Sequence, residues 1–242
     1  MILYLRILTF AIILLFNVPC YGQDVMSNDY LNITGDYAAV FNGRTDVDYN
    51  SANYDNYPYF FPKKLASSGS FPEDFVVGTL TYNGTVYKNV GLRLDLFKEE
   101  LIILSHQKGF GIVLEPQKVN EAVLYGLIFF WNSNSNIGEG YYMQLYKGDF
   151  LKLVYKEKFE LNSRIRDLQS INHFSRDTKF YLLYKGKYTQ VKDKNSFIKL
   201  FPGQKSRINE FVKKQKLNFK REREKSLIEL SAFCEQFLLS GN

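Results

Sequence analysis

The stretch GTLTYNGTVYKNVGLRLDLFKEELIIL, residues 78–104, carries the pattern that decides the fold of this protein. Apolar and polar residues alternate along it, and the pair Asn83-Gly84 interrupts the alternation with a combination that favours a tight β-turn. The apolar residues that share one face of the strand after this turn are Val90, Leu92, Leu94 and Leu96. The stretch therefore predicts an antiparallel hairpin with one buried face.

Arg93 and Asp95 lie on the opposite face of the same strand and raise the question of a catalytic carboxylate. Residues two apart along a strand are neighbours on one face, so these side chains can pair with each other or with adjacent strands. A catalytic carboxylate would need a second titratable group and a pocket that shifts its pKa. The sequence indicates neither, and we predict that the pair is structural.

The β-type pattern continues from Phe75 to about Val191, where short apolar runs alternate with glycine-containing turns. Turns with similar chemistry occur at Lys147-Gly148 and Lys185-Gly186, where a glycine with positive φ is expected. Strands are predicted at residues 75–82, 85–96, 100–105, 109–115, 121–131, 141–147, 150–160, 179–184 and 187–191.

After Pro202-Gly203 the apolar residues follow a helical period. Two helices are predicted, at about 204–216 and 219–238. The second helix carries an apolar stripe formed by Leu227, Leu230, Phe233, Cys234 and Phe237. Residues 73–242 are therefore predicted to form one α+β domain, a curved antiparallel β-sheet or open half-barrel with two C-terminal helices.

Two further segments precede this domain. Residues 1–22 combine a basic start, an apolar run from Ile7 to Phe16 and small residues ending at Gly22, which indicates a cleaved signal peptide. The run is too short to cross a bilayer, and no transmembrane helix is predicted in the mature chain. Residues 23–72, rich in Tyr, Asn and Asp, are predicted to form an extended arm over the domain. We expect export to the periplasm, the outer membrane or the outside of the cell.

Charge is distributed unevenly along the chain. Residues 23–62 hold six Asp and one Arg, a net charge of −5, whereas residues 192–225 hold twelve Lys or Arg and four acidic residues, a net charge of +8. Such a segment is either a solvated helix face or a contact for an anionic partner. A nucleic acid is not expected, because no recognition motif is present and export removes the usual partner. The predicted contact residues are Lys213, Lys214, Lys216, Lys220, Arg221, Arg223 and Lys225.

No catalytic or metal-binding constellation is evident, so no catalytic residue, metal or cofactor is predicted. The two histidines, His106 and His173, have no neighbours at metal-ligand spacing, and the common nucleophile and phosphate-loop motifs are missing. Asp46 and Asp48 begin like a calcium loop, but the glycine and glutamate of that motif do not follow. Cys234 is the only cysteine outside the predicted signal peptide, and we expect a buried thiol.

Several stretches together resemble a group of exported proteins of Gram-negative bacteria that have no assigned activity. They are AAVFNG at 38–43, the opening stretch at 78–104, YYMQLYKG at 141–148, KFYLLYKGKY at 179–188 and INEFVKKQKLNFK at 208–220. The resemblance covers most of the mature chain and implies export and a β-rich domain with a helical tail. It implies no catalytic residue.

These observations predict an exported, non-catalytic protein of the cell envelope that binds another protein, a glycan or an anionic membrane surface. Two alternatives stay open. A curved sheet can enclose an apolar ligand, which would make the protein a periplasmic carrier. A hydrolase without an identifiable motif would use scattered carboxylates such as Asp95 and Glu115, because sequence alone does not show which residues meet in space.

Overall fold

The computed structural model is an open antiparallel sheet with three helices at its C-terminal end, which confirms the predicted α+β class. It describes residues 41, 44–45, 58–59, 75–105, 111–134, 136–166 and 169–239. The predicted signal peptide, most of the predicted arm, His106, Asp46 and Asp48 lie outside these residues. The strands are β1 (Arg44–Thr45), β2 (Val76–Tyr82), β3 (Thr85–Asp95), β4 (Glu100–Leu104), β5 (Gly111–Val113), β6 (Val119–Leu124), β7 (Leu127–Asn132), β8 (Gly140–Lys147), β9 (Leu151–Arg166), β10 (Gln169–Tyr184) and β11 (Lys187–Gln190).

A short connection forces this sheet to curl. The strand order is β1-β5-β4-β3-β2-β6-β7-β8-β9-β10-β11, so that two meanders meet where β2 pairs with β6. The chain from Val113 at the end of β5 to Val119 at the start of β6 must pass β4, β3 and β2, a distance of four inter-strand spacings. In a flat sheet these spacings add up to about 19 Å, and any offset along the strand direction would lengthen the path further. Fully extended, the chain would reach roughly 20 Å, and the 3₁₀ turn Pro116–Lys118 shortens it. The ends can meet only if the sheet is curled.

Alternate residues along the strands separate the two faces of the sheet. On β9, Leu153 and Tyr155 belong to the main core, whereas Val154 belongs to a small cluster with Tyr142 and Tyr181. The buried helical residues that join the main core are Phe197, Ile208, Leu227, Leu230, Cys234 and Phe237. The helices therefore cover the main-core face of the sheet.

Three hairpin turns have two successive residues with positive φ, the geometry that suits the twist of paired strands. They lie at Asn83-Gly84, Tyr125-Gly126 and Lys185-Gly186. The first and third confirm the predicted turns. The second turn divides the predicted strand 121–131 into β6 and β7. This turn was not predicted, because tyrosine is uncommon at a positive φ and gives no turn signal in sequence.

Strands β9 and β10 contain 16 residues each and are longer than predicted. Within the described residues, their outer parts, 156–166 and 169–179, pair only with each other, because the pairing of β9 with β8 ends at Tyr155. A ring contact between Phe97 and Phe174, 5.2 Å between centroids, holds this ribbon near the β3–β4 turn. The outer ribbon is mostly polar, so the alternation that marks a half-buried strand is weak there.

Arg93 and Asp95 are both buried on β3, and both contact Tyr59, a residue of the predicted arm. The guanidinium of Arg93 lies over the rings of Tyr59 and Phe75, at 4.9 and 4.5 Å from their centroids. Asp95 forms an isolated β-bridge with Tyr59, and its Oδ1 accepts two backbone hydrogen bonds from the following turn, at 3.0 and 2.8 Å. Asp95 therefore shapes the β3–β4 turn and anchors part of the arm.

Phe41, another residue of the predicted arm, packs against the sheet. Its side chain is fully buried in the main core and meets the rings of Tyr82 and Tyr87 edge to face, with centroids 5.5 and 5.0 Å away. The hydroxyl of Tyr82 donates a hydrogen bond to the carbonyl of Phe41 at 2.8 Å. Farther along the arm, the N–H of Leu96 donates to the carbonyl of Pro58 at 3.1 Å.

The helices are α1 (Lys194–Leu200), α2 (Lys205–Lys214) and α3 (Arg223–Leu239). The last two correspond to the predicted pair, and α1 was not predicted. It has only seven residues, too few for a clear helical period. Asp193 caps its N-terminus, because the Oδ1 of Asp193 accepts a hydrogen bond from the N–H of Ser196 at 3.1 Å. Cys234, in α3, is fully buried as expected.

Glu235 joins α3 to the turn between β8 and β9. Its Oε1 accepts a hydrogen bond from the N–H of Phe150 at 2.7 Å, and its Oε2 accepts one from Leu151 at 3.0 Å. The residue is only 4% exposed. Gly148 lies against this carboxylate, so a side chain there would collide with it. The glycine is thus required for space, whereas the sequence predicted a positive φ, which Gly148 does not have.

We expect Glu235→Ala to lower the free energy of unfolding by about 3 kcal/mol, because two N–H groups would lose a charged acceptor. Glu235→Gln should cost less, since one acceptor oxygen remains. Equilibrium unfolding in urea measures both effects, with Gln236→Ala, an exposed neighbour in α3, as the control. Equal stability of Glu235→Ala and the control would contradict the role of the carboxylate.

Alkaline pH should destabilise the fold. Burial raises the pKa of Tyr155 from 10.0 to about 12 and that of Cys234 from 9.0 to about 12, and it also raises the pKa of Tyr141 and Tyr142. The unfolded chain therefore loses these protons first, so the free energy of unfolding should fall between about pH 9 and pH 12. Lys156 opposes this trend, because burial lowers its pKa. Urea unfolding across this range would show the fall, and Tyr155→Phe should make it shallower.

Candidate anion-binding site

A basic groove lies between the start of α1 and the connection from α2 to α3. It is open to solvent and has a volume of about 670 Å³. Its basic lining residues are Lys192, Lys194, Lys213, Lys216, Lys220 and Arg223. The other lining residues are Asp193, Asn195, Val212, Leu217, Asn218 and Phe219. The groove thus brings six basic side chains together with one acidic side chain.

The end of α2 positions one side of the basic groove. The N–H of Leu217 donates to the carbonyl of Val212 at 3.1 Å, and the N–H of Lys216 donates to the carbonyl of Lys213 at 3.2 Å. These two bonds form a Schellman motif, in which the residue after the helix cap has a positive φ. That residue is usually glycine, but here it is Lys216, with φ of 54°. A lysine therefore occupies a strained backbone position at the groove.

Asn218 shapes the next part of the connection. Its Oδ1 accepts hydrogen bonds from the N–H groups of Lys220 and Arg221, both at 3.1 Å, and its carbonyl accepts one from Glu222 at 2.8 Å. Asparagine is favoured at such turns because its short side chain substitutes for a backbone acceptor. The turn directs the chain from the end of α2 into α3.

The basic groove also has three apolar lining residues, Val212, Leu217 and Phe219, here called its apolar floor. Val212, Leu217 and Phe219 are half-buried, because each packs partly on the main core while also lining the groove. The position of α2 against α3 is secured by a stacked ring pair, Phe211 and Phe233, with centroids 4.1 Å apart and planes 7° from parallel. The groove therefore combines a basic rim with a fixed apolar base.

The positive charge of the basic groove is left largely uncompensated. Lys192, Lys213, Lys216 and Lys220 are exposed and form no ion pair within the described part of the chain. Among the described residues that line the groove, the only acidic one is Asp193, and it already accepts hydrogen bonds from Ser196 as the cap of α1. Exposed ammonium groups of this kind attract anions over a range that falls with ionic strength.

Four of the seven contact residues predicted from sequence line the basic groove, namely Lys213, Lys216, Lys220 and Arg223. Lys214, Arg221 and Lys225 do not, and Lys225 lies 4.0 Å from Glu222 in an ion pair. Lys192 and Lys194 line the groove but were not predicted. The net charge of residues 192–225 included both lysines, but only the fold brings the start of α1 next to the α2–α3 connection.

A second cleft, of about 240 Å³, has a balanced set of charges. Its lining contains three acidic residues, Glu99, Glu139 and Asp177, and three basic residues, Lys156, Lys158 and Lys179. The Nζ of Lys156 donates to Glu99 at 2.6 Å and to the carbonyl of Glu139 at 2.8 Å. Burial lowers the pKa of Lys156, while the bond to Glu99 opposes this effect. The ion pair ties β9 to the β3–β4 turn, which is a structural role.

The other carboxylates considered for chemistry have structural partners. Glu115 pairs with Lys118 at 3.0 Å, and the Asp95 carboxylate accepts its turn hydrogen bonds. His173 lies half-buried on β10. In the part of the chain that the structure describes, no group of three or more His, Cys, Asp and Glu side chains is placed to hold a metal ion. Nor does any helix there reach the length and apolar character that a membrane crossing requires.

The chain matches no protein-family model, no curated protein and no solved structure with which it was compared. Fold and site together define an α+β protein with an open antiparallel sheet and a basic groove on its helical end. The resemblance to exported proteins of Gram-negative bacteria stays a prediction.

Lys216→Gly should raise the free energy of unfolding by about 1 kcal/mol, because glycine has no Cβ to strain at a positive φ. Lys214→Gly is the matched control: it removes the same charge from the last turn of α2 and should cost roughly 0.5–1 kcal/mol. Urea unfolding of both variants measures the difference. Destabilisation by Lys216→Gly would contradict the backbone geometry at the groove.

Proposed function

We propose that this protein is an exported, non-catalytic binding module of the cell envelope that holds an anionic partner in the basic groove. The observation that carries the proposal is that six basic residues line one opening, contributed by the start of α1 and the residues just before it, the end of α2, the α2–α3 connection and the first residue of α3. The single acidic side chain there is engaged as a helix cap. Export, to the periplasm, the outer membrane or the outside of the cell, is part of the proposal and rests on residues 1–22.

A non-catalytic role is supported by the positions of the carboxylates. Asp95 is 1% exposed and accepts backbone hydrogen bonds, and Glu115 forms an ion pair with Lys118. These contacts give Asp95 a role in a turn and Glu115 a role in an ion pair, which supports structural rather than catalytic carboxylates. The hydrolase alternative has no observation in its favour.

The carrier alternative would need a continuous apolar cavity within the curl of the sheet. Leu80, Leu92, Leu101 and Leu114 are instead buried in one contiguous core, at 0–1% exposure. Helix residues such as Leu227 extend the same core. Because these apolar side chains pack on one another, less of the main-core face of the sheet is left to bind an apolar ligand. The binding module is therefore better supported than the carrier.

Attraction between the basic groove and its partner should depend on salt, since exposed charges are screened over about 10 Å at 0.1 M ionic strength. We expect the protein to bind fluorescently labelled polyphosphate, with an affinity that falls steadily as sodium chloride is raised. A groove variant, in which Lys213, Lys216 and Lys220 are each replaced by Gln, should bind at least about tenfold more weakly. Fluorescence anisotropy measures both effects.

The matched control variant replaces Lys147, Lys199 and Lys205 by Gln. These three lysines are also exposed, but they do not line the basic groove. The control therefore loses the same net charge while the groove stays intact. An equal loss of affinity in both variants would show that net charge alone drives binding, and the proposed site would be wrong.

A further inference from the structure

We infer that the basic groove docks onto the surface of a bilayer containing anionic phospholipids. This inference rests on the proposed function and adds the class of partner. Two features of the basic groove support the inference, and a site for a small soluble anion would need neither of them. One is the apolar floor, and the other is the exposure of the basic side chains.

The apolar floor is interleaved with the basic residues in sequence as well as in space. Leu217 and Phe219 alternate with Lys216, Asn218 and Lys220 along the α2–α3 connection, and both apolar residues line the groove. A water-soluble polyanion gains little from contact with leucine or phenylalanine. A phospholipid offers a negative headgroup beside an apolar region, which is the combination that amphipathic membrane-surface segments bind.

The basic side chains are arranged for a surface rather than for a single ion. Lys213, Lys216, Lys220 and Arg223 are all exposed, and the groove is open. Sites for one phosphate group usually surround it with converging backbone N–H groups at a helix N-terminus or nest. Here, long side chains stand along a connection, and exposed Lys214 and Arg221 extend the positive charge beyond the rim. Such a layout matches a plane of headgroups.

The elements beneath the groove provide a rigid base for docking. The stacked rings of Phe211 and Phe233 fix α2 against α3, and the carboxylate of Glu235 fixes α3 to the sheet. The apolar floor can therefore meet a bilayer without unfolding of the helices. Each basic residue near an anionic leaflet raises the partition coefficient of a protein onto the membrane by about fivefold. The three lysines replaced in the groove variant should therefore raise it together by on the order of a hundredfold.

The test uses the full chain, purified as the cell processes it, and sedimentation with lipid vesicles. Vesicles of equal parts phosphatidylglycerol and phosphatidylcholine should bind the protein, and the groove variant should lose on the order of a hundredfold in partition coefficient. The control variant should lose less than about fivefold. Vesicles of pure phosphatidylcholine, which carry no net charge, are the control that measures any binding through the apolar run Ile7–Phe16.

A second measurement tests contact between the apolar floor and the lipid. The variant Phe219→Trp places an indole at the groove, and its emission should move to shorter wavelength when phosphatidylglycerol vesicles are added. Polyphosphate should produce no such shift. The parent protein, whose single tryptophan is Trp131 in β7, provides the baseline.

The outcomes separate this inference from the proposed function. Binding to polyphosphate without binding to phosphatidylglycerol vesicles would overturn the inference, leave the proposed function in place and indicate an acidic glycan or protein as the partner. Absence of binding to both would overturn both. Vesicle binding that the groove variant retains in full would also overturn the inference, as would an unchanged emission of the Phe219→Trp variant on bound vesicles.

Discussion

The hydrogen bonds between the Glu235 carboxylate and the β8–β9 turn are the interaction on which the site depends. A charged group on α3 reaches the backbone of the sheet, and Gly148 leaves the space that it needs. Burying a carboxylate is costly unless its oxygens are hydrogen-bonded, so this contact fixes one register of the helix on the sheet. The position of α3 then determines where Phe233 meets Phe211, and hence where α2 and the basic groove lie.

The basic groove is made where the chain leaves one helix and enters the next. A Schellman motif ends α2, and the Asn218 turn leads into α3, so that lysines and apolar residues of a short segment face the same opening. Lys216 occupies a backbone conformation that glycine would adopt with less strain. Local strain of this kind is common where a side chain serves binding, and the surrounding helices hold it in place.

Much of the fold could be predicted from sequence because local patterns and tertiary burial agree. The alternation around Asn83-Gly84 predicted β2 and β3, and the stripe containing Leu227 and Leu230 predicted the buried face of α3. Predictions failed where the local signal was weak. Tyr125 has an unexpected positive φ at a turn, and the outer parts of β9 and β10 are too polar to read as strands. Helix α1 is too short to show a period.

By itself, the sequence determined the class of the fold, the helical end and the basic character of residues 192–225, because periodicity and charge are local properties of a chain. Only the tertiary structure decided which basic residues act together. Lys192 joins Lys213 and Lys216 because α1 is placed beside the α2–α3 connection, whereas Lys225 points to Glu222 instead. The same holds for Glu235 and Asp95, since a carboxylate has a role only through the donors that the fold brings within hydrogen-bond distance.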